Sequence, residues 1–314
     1  MLGCKKYLAP QLCLSFVLVV SGSWDQLQAQ EREAFPTQSL VLEQSWRLDG
    51  ARGRFDGSGI ERADDGELLV VRDSELAVYA VRFQANRPSA ALVRHARYAA
   101  PLEKLDLGVK RFDMEGLAID EKGILYACDE YARRVLRFTT KGVINSLPLD
   151  LAGASEFFSK TDRNASFEGI AIGGDRLYLA NERGQGRILE LDLRSGKLLN
   201  SFNLRTGLTA WPDTHYSGLD WDKGRLFALL REERAVIEVD PEARRIKRIL
   251  RYHDVEYHPE HRYQTRVPFA GVMEGLLVED DVVWLLSDNN GLGRFADKSD
   301  SRPTLFRCRI QAAE

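Results

Sequence analysis

The chain has 314 residues and is close to charge balance, with 44 Lys and Arg against 47 Asp and Glu and a formal net charge of −3. It lacks the basic excess that marks a nucleic-acid-binding surface, so no nucleic-acid partner is expected. Four cysteines are too few to staple a chain of this length into a disulfide scaffold.

Residues 1–30 read as a secretory signal peptide. Lys5 and Lys6 precede an apolar stretch from Leu12 to Val20, and small and polar residues follow through Ala29 and Gln30. The stretch is too short to span a bilayer, and no other segment is long and apolar enough, so no transmembrane segment is expected. A periplasmic or secreted protein follows, expected to act as a monomer. Removal of the signal leaves Cys128 and Cys308, for which a disulfide is the less favoured reading. Residues 31–50 form an N-terminal segment with one strand-like run, Ser39 to Leu48, and residues 51–314 carry a repeat.

The repeated phrase is a small or acidic residue, Gly, then Leu or Ile, a turn, and a second apolar run ending in charge. Its copies are Ser58-Gly59-Ile60, Glu115-Gly116-Leu117, Glu168-Gly169-Ile170, Ser217-Gly218-Leu219 and Glu274-Gly275-Leu276, with glycines 49 to 57 residues apart. A period of this size marks a repeat architecture.

Short apolar runs bounded by Gly, Asp and Lys predict the strands. The first repeat supplies Ser58–Glu61, Glu67–Val71, Leu76–Phe83 and Ala91–Tyr98. The second supplies Glu115–Ile119, Ile124–Cys128, Arg134–Phe138 and Val143–Leu149. The third has Glu168–Ile172, Arg176–Ala180, Arg187–Leu193 and Leu198–Leu204. The fourth has Ser217–Trp221, Arg225–Leu230, Ala235–Val239 and Ile246–Tyr252. The fifth has Glu274–Val278, Val282–Leu286 and Thr304–Ile310, one strand short. Four strands in roughly 50 residues make a propeller blade. The fold class is therefore all-β, a β-propeller with five blades preferred, closed by Ser39–Leu48 as the outer strand of the last blade. Six blades follow instead if the long connections at Gln84–Phe112 or Arg251–Val272 hide strands.

The second of these connections holds His253, Asp254, Glu256, His258, Glu260 and His261. A solvated polar loop is the favoured reading, and a transition-metal site the sharper alternative. Asn164-Ala165-Ser166 fits a glycosylation sequon and is read as chance.

Propeller geometry lines the channel with the first strand of each blade, so Ser58, Glu115, Glu168, Ser217 and Glu274 should ring it at one level. The neighbouring glycines suit a place where backbones crowd. Asp73, Asp129, Glu130, Glu182, Glu232 and Asp288 end the second strands, close to the same mouth. So many carboxylates need protons, ion pairs or a cation. Hard oxygen ligands in a loose ring suit Ca2+, with Glu115, Glu168, Glu274, Asp129 and Asp288 as candidate metal ligands. Arg72, Arg183 and Arg231 at the same end support the competing reading, in which ion pairs simply lock the blades. No nucleophile elbow, zinc-protease motif, phosphate loop or cysteine cluster is present.

Asn164 to Ala171, with Leu177-Tyr178-Leu179-Ala180-Asn181-Glu182, resembles the hallmark of the phytase-like family, also called esterase-like activity of phytase. Asp113 to Ala118 with Asp129-Glu130, and Met273 to Leu276 with Ser287-Asp288-Asn289-Asn290, resemble neighbouring repeats of that family. Similar Glu-Gly repeats occur in SdiA-regulated propellers. The resemblance implies a secreted or periplasmic propeller, calcium binding, and action on phosphate or carboxylic esters, with Glu115, Glu168 and Glu274 as channel ligands. Ser58 and Ser217 stand at the other two equivalent positions and lower the charge of the site.

Three functions are carried forward. The first is a metal-dependent hydrolase of a small anionic phosphate ester, with Glu115 or Glu168 as catalytic base and Arg183 and Arg231 holding the substrate. The second is a non-catalytic, calcium-stabilised propeller that binds an envelope partner or ligand. The third is a lactonase-like hydrolase.

Overall fold

The computed structural model describes residues 35–50, 54–98, 112–139, 143–163, 165–182, 186–209, 214–267 and 270–312. The signal-peptide segment, Asn164 of the sequon and Arg183 lie outside the described residues.

Each repeat folds as an antiparallel meander. Following the long N-terminal strand β1 (Thr37–Asp49), the first comprises β2 (Gly57–Arg62), β3 (Leu68–Arg72), β4 (Glu75–Phe83) and β5 (Ser89–Arg94). The second comprises β6 (Met114–Ile119), β7 (Leu125–Asp129), β8 (Arg134–Phe138) and β9 (Ile144–Leu147). The third comprises β10 (Phe167–Gly173), β11 (Arg176–Asn181), β12 (Arg187–Asp192) and β13 (Leu198–Phe202). The fourth comprises β14 (Tyr216–Asp222), β15 (Arg225–Leu230), β16 (Ala235–Asp240) and β17 (Arg245–Arg251). The fifth has β18 (Met273–Glu279), β19 (Val282–Ser287) and β20 (Thr304–Ile310). Its fourth strand is β1, paired antiparallel with β20 from Leu40↔Ile310 to Arg47↔Thr304.

Two details depart from the sequence expectations. The outer strands are shorter than their apolar runs: Ala91–Tyr98 is strand only to Arg94, and Val143–Leu149 only from Ile144 to Leu147. Outer strands pack on fewer neighbours, so apolar content overstates their length. In addition, β1 forms short parallel pairings at both ends, Thr37↔Ile249 with β17 and Arg47↔Ser89 with β5. These ties bridge it to the fourth and first meanders. The connection after β17 contains one helical turn, His253–Glu256, and the isolated bridge Tyr263↔Arg294.

The second strands are buried almost throughout because both faces of each sheet are covered. Each of five apolar clusters lies between two meanders that follow one another. Leu69 and Val71 pack with Leu117 and Leu125, Cys128 with Ile170 and Leu179, Tyr178 with Leu219 and Leu226. Phe227 packs with Leu276 and Leu285, and Trp284 and Leu286 return to Ile60 and Val70 of the first. The series closes on itself. Cys128 and Cys308 are buried and free, in line with the favoured reading.

The repeated glycines sit where consecutive first strands touch. A methyl group on Gly59 would lie 2.7 Å from Glu115 O, and one on Gly169 would lie 2.6 Å from Leu219 N. The same construction on Gly275 meets Ser58 O at 2.8 Å, which brings the fifth first strand back to the first. Only a residue without Cβ permits this approach.

Candidate functional site

In every first hairpin the pairing register slips around the residue before the repeated Gly, between Phe167 and Gly169 and between Met273 and Gly275, for example. A bulge of this kind lifts one residue out of the ladder and re-aims its side chain. Glu168 and Glu274 are such residues, and Glu115 lies in the corresponding slip between Met114 and Leu117. All three are buried, as are Ser58 and Ser217. Ser217 Oγ donates to Met273 O at 2.9 Å, so this position serves as a strand-to-strand tie rather than an acid.

The three glutamates act on one another. Burial raises the proton affinity of Glu115 well above the carboxylate range, and Glu274 and Glu130 raise it further. Burial does the same to Glu168, reinforced by Glu182, Glu115 and Glu274. Glu274 is pushed up to about 7 by burial, against the opposing pull of Arg231.

Glu130 and Glu182, one residue beyond β7 and β11, complete the cluster. Carboxylate oxygens of Glu130, Glu168 and Glu182 all lie within 4.8 Å of one another, and all three residues are buried. A Ca2+–oxygen distance of about 2.4 Å allows opposed ligands up to about 4.8 Å apart, so three such oxygens fit around one cation. Ser166 N donates to Glu130 Oε1 at 2.8 Å, fixing one carboxylate from the backbone.

Other expected ligands take different places. Asp129 is fully buried, but its Oδ2 accepts from Arg134 Nε at 3.0 Å, and its Oδ1 accepts from Ala132 N at 3.2 Å. Asp129 and Arg134 are register partners across β7 and β8, so this pair forms within the meander. The alternation of the chain then gives Glu130 the position in the cluster. Asp288 lies against Glu274 and Asp56, and burial followed by these two acids raises its proton affinity.

Arg231 is the counter-charge of the ring. Its guanidinium donates to Glu182 Oε1 at 2.5 Å, to Glu232 Oε1 at 3.3 Å and to Glu274 Oε1. Expected to hold substrate, it is instead committed to three carboxylates. Arg72 pairs with Glu75 at 3.0 Å through Nε. His215 lies 3.2 Å from Glu232 and is held above its ordinary proton affinity by that carboxylate.

Sequence reasoning did not single out the opposite ends of the first strands. Glu61 and Asp220 stand three residues after Ser58 and Ser217, in the two repeats that lack the mouth glutamate. Glu61 Oε2 accepts from Ile119 N at 3.2 Å and Asp220 Oδ2 from Val278 N at 2.8 Å, each on the following first strand. Burial and then Asp220 raise the proton affinity of Glu61, and burial pushes Asp220 up to about 7. Comparing position +3 of the five phrases finds both.

In the histidine connection, ligand atoms of His258, Glu260 and His261 come within 4.8 Å of one another at the surface. His253 instead pairs with Asp254 at 3.0 Å.

The family model of phytase-like proteins, described as esterase-like activity of phytase, matches residues 54–291. The chain belongs to the phytase-like family. Among solved structures, this phytase-like protein is similar to the glutaminyl cyclase of Myxococcus xanthus, with 11% identity and a TM-score of 0.58 over 89% of this chain and 99% of that one. It is also similar to the PQQ-bound aldose sugar dehydrogenase of Streptomyces coelicolor, with 12% identity, 87% and 98% coverage and a TM-score of 0.48. The virginiamycin B lyase of Staphylococcus aureus matches at 14% identity, with 86% and 75% coverage and a TM-score of 0.45. The likeness to the glutaminyl cyclase shows a shared β-propeller fold. No curated protein matches the sequence of this phytase-like chain.

Proposed function

We propose that this phytase-like protein is a secreted or periplasmic propeller of five blades that hydrolyses small phosphate or related esters at a divalent-cation site in its mouth. The observation that carries the reading is the convergence of Glu130, Glu168 and Glu182 within 4.8 Å. Buried carboxylates this close hold protons or a cation, and oxygen ligands favour Ca2+. Glu130, Glu168 and Glu182 would hold the ion. When bound, it would supply positive charge that polarises a phosphoryl or carbonyl oxygen.

The protein's own groups would do the rest. Glu115 borders this cluster through Glu130 and Glu168 and holds protons more tightly than an ordinary carboxylate. Once ionised, a carboxylate with raised proton affinity is a stronger base, which suits it to accept a proton from attacking water. Arg231 keeps Glu182 and Glu274 in place. The five blades rest on the five meanders, the cyclic glycine contacts and the β1–β20 pairing.

A second reading is favoured by burial. Glu130, Glu168 and Glu182 are 0, 7 and 1% exposed, an enclosure that suits a structural ion in a non-catalytic propeller. One experiment separates the two. Wild type and Glu168→Gln are assayed for melting temperature and for hydrolysis of 4-nitrophenyl phosphate, 4-nitrophenyl acetate and a lactone, with calcium or chelator. The hydrolase reading requires calcium-dependent turnover and stabilisation, both reduced in the variant. Stabilisation without turnover would leave the structural ion, and a melting temperature indifferent to calcium would remove the cation from both readings.

A further inference from the structure

A second concave site lies beside the mouth. It is a cleft of about 580 Å3 whose lining includes Arg234, Tyr257, Arg262, Arg266, Val272 and Phe295. That volume falls in the range of small-molecule sites. Two chain segments distant in sequence frame it. Phe295 N donates to Arg262 O at 3.0 Å and Gln264 N to Gly293 O at 2.9 Å, around the Tyr263↔Arg294 bridge. Arg294 anchors this frame from below: it is 1% exposed, pairs with Asp300 at 2.8 Å and donates to Tyr263 Oη at 2.6 Å. These bonds hold the frame together without a ligand.

Charge within the cleft is unbalanced. Arg234 is neutralised by Glu256 at 2.8 Å, and its other donors reach Glu232 O and Ala270 O, both at 3.1 Å. Arg262 and Arg266 have no carboxylate partner among the described residues, although both are exposed lining residues. The guanidinium carbon of Arg262 lies 4.8 Å from the Tyr257 ring centre and 4.5 Å from that of Phe295. Rings engage a guanidinium through its flat faces and leave the N–H edges in the plane free. Those edges match a carboxylate or phosphate. Phe295 is 54% exposed, a large apolar ring left uncovered at the rim.

We infer that this cleft binds a small anion carrying a flat apolar group, such as an aryl phosphate or aryl carboxylate. Arg262 and Arg266 grip the anion and Phe295 covers the ring. The site requires no cation at the mouth, so its test is independent of the hydrolytic reading. Val272 lines the cleft and its carbonyl accepts from Asp288 N at 2.8 Å, which ties the wall of the cleft to the acidic mouth.

The test is titration calorimetry in chelator with phenyl phosphate, benzoate, phenol and inorganic phosphate, on wild type, Arg262→Ala/Arg266→Ala and Phe295→Ala. Wild type should bind at least one of the two anions saturably and phenol at least about tenfold more weakly, a factor of ten being the loss of one good interaction. The double arginine variant should lose about tenfold or more in anion affinity. Phe295→Ala should weaken phenyl phosphate more than inorganic phosphate. All three residues are exposed, and an unchanged melting temperature certifies the fold of each variant. Wild type that binds neither anion saturably at millimolar concentration overturns the inference. So does anion binding that survives the double substitution, or phenol binding as tightly as phenyl phosphate.

Discussion

Asp220 gives the clearest stability test, because its carboxyl is buried at the far end of the channel from the proposed cation. Its proton affinity is raised from 3.8 to about 7, first by burial, and the Val278 N–H bond only partly opposes this. Between those two values the native state binds more protons than the unfolded chain. Stability therefore falls as pH rises through this window and levels off above about 7. Within the window each tenfold fall in proton concentration costs about 1.4 kcal/mol, so the part from pH 5 to 7 amounts to about 3 kcal/mol. Asn at 220 keeps an oxygen for Val278 N and cannot ionise. Glu61, relieved of a charged neighbour, would then fall in proton affinity, which acts in the same direction. Urea unfolding of wild type and Asp220→Asn at pH 5 and pH 8, in chelator, measures the difference. The variant should gain on wild type by about 3 kcal/mol over that interval. Equal pH slopes for the two proteins would refute the argument, because the other carboxylates contribute to both.

Two further outcomes test the ring. Gly169→Ala places a methyl group 2.6 Å from Leu219 N and 2.7 Å from Gly218 C, backbone atoms that cannot turn aside. Urea unfolding should show a loss of about 2 kcal/mol, typical of overpacking, whereas an unchanged midpoint would deny the close approach of the first strands. Arg231→Met leaves Glu274 and Glu182 buried without their shared cation, a loss of about 3–5 kcal/mol when both are ionised. The melting temperature should drop more at pH 8 than at pH 5, where Glu274 retains its proton, and an equal drop at both would count against that account.

Much of the fold was present in local pattern. Hairpin turns and short apolar runs depend on residues within one repeat, where short-range forces act, and the recurrent Gly was legible from its period although its reason lies in the neighbouring repeat. The mouth glutamates could be named because three phrases carry them at one position. The closing role of Ser39–Leu48 followed from a missing strand and a need to cover edges, while its added parallel ties to β17 and β5 emerged only in three dimensions.

Which charges meet was decided by tertiary structure. A bulge beside each repeated Gly and the alternation after β7 separate Glu130 from Asp129 by one residue, yet send them to different partners. Composition is blind to that step, because both are acids at the end of one strand. The sequence left Arg231 open between holding substrate and pairing with acids, and the structure engages it with carboxylates from two other repeats. Glu61 and Asp220 influence each other from repeats one and four, and Arg262 meets Phe295 only because two connections pair at the Tyr263↔Arg294 bridge. Electrostatic and packing energies depend on distance through space, and closure of the chain into a ring sets those distances.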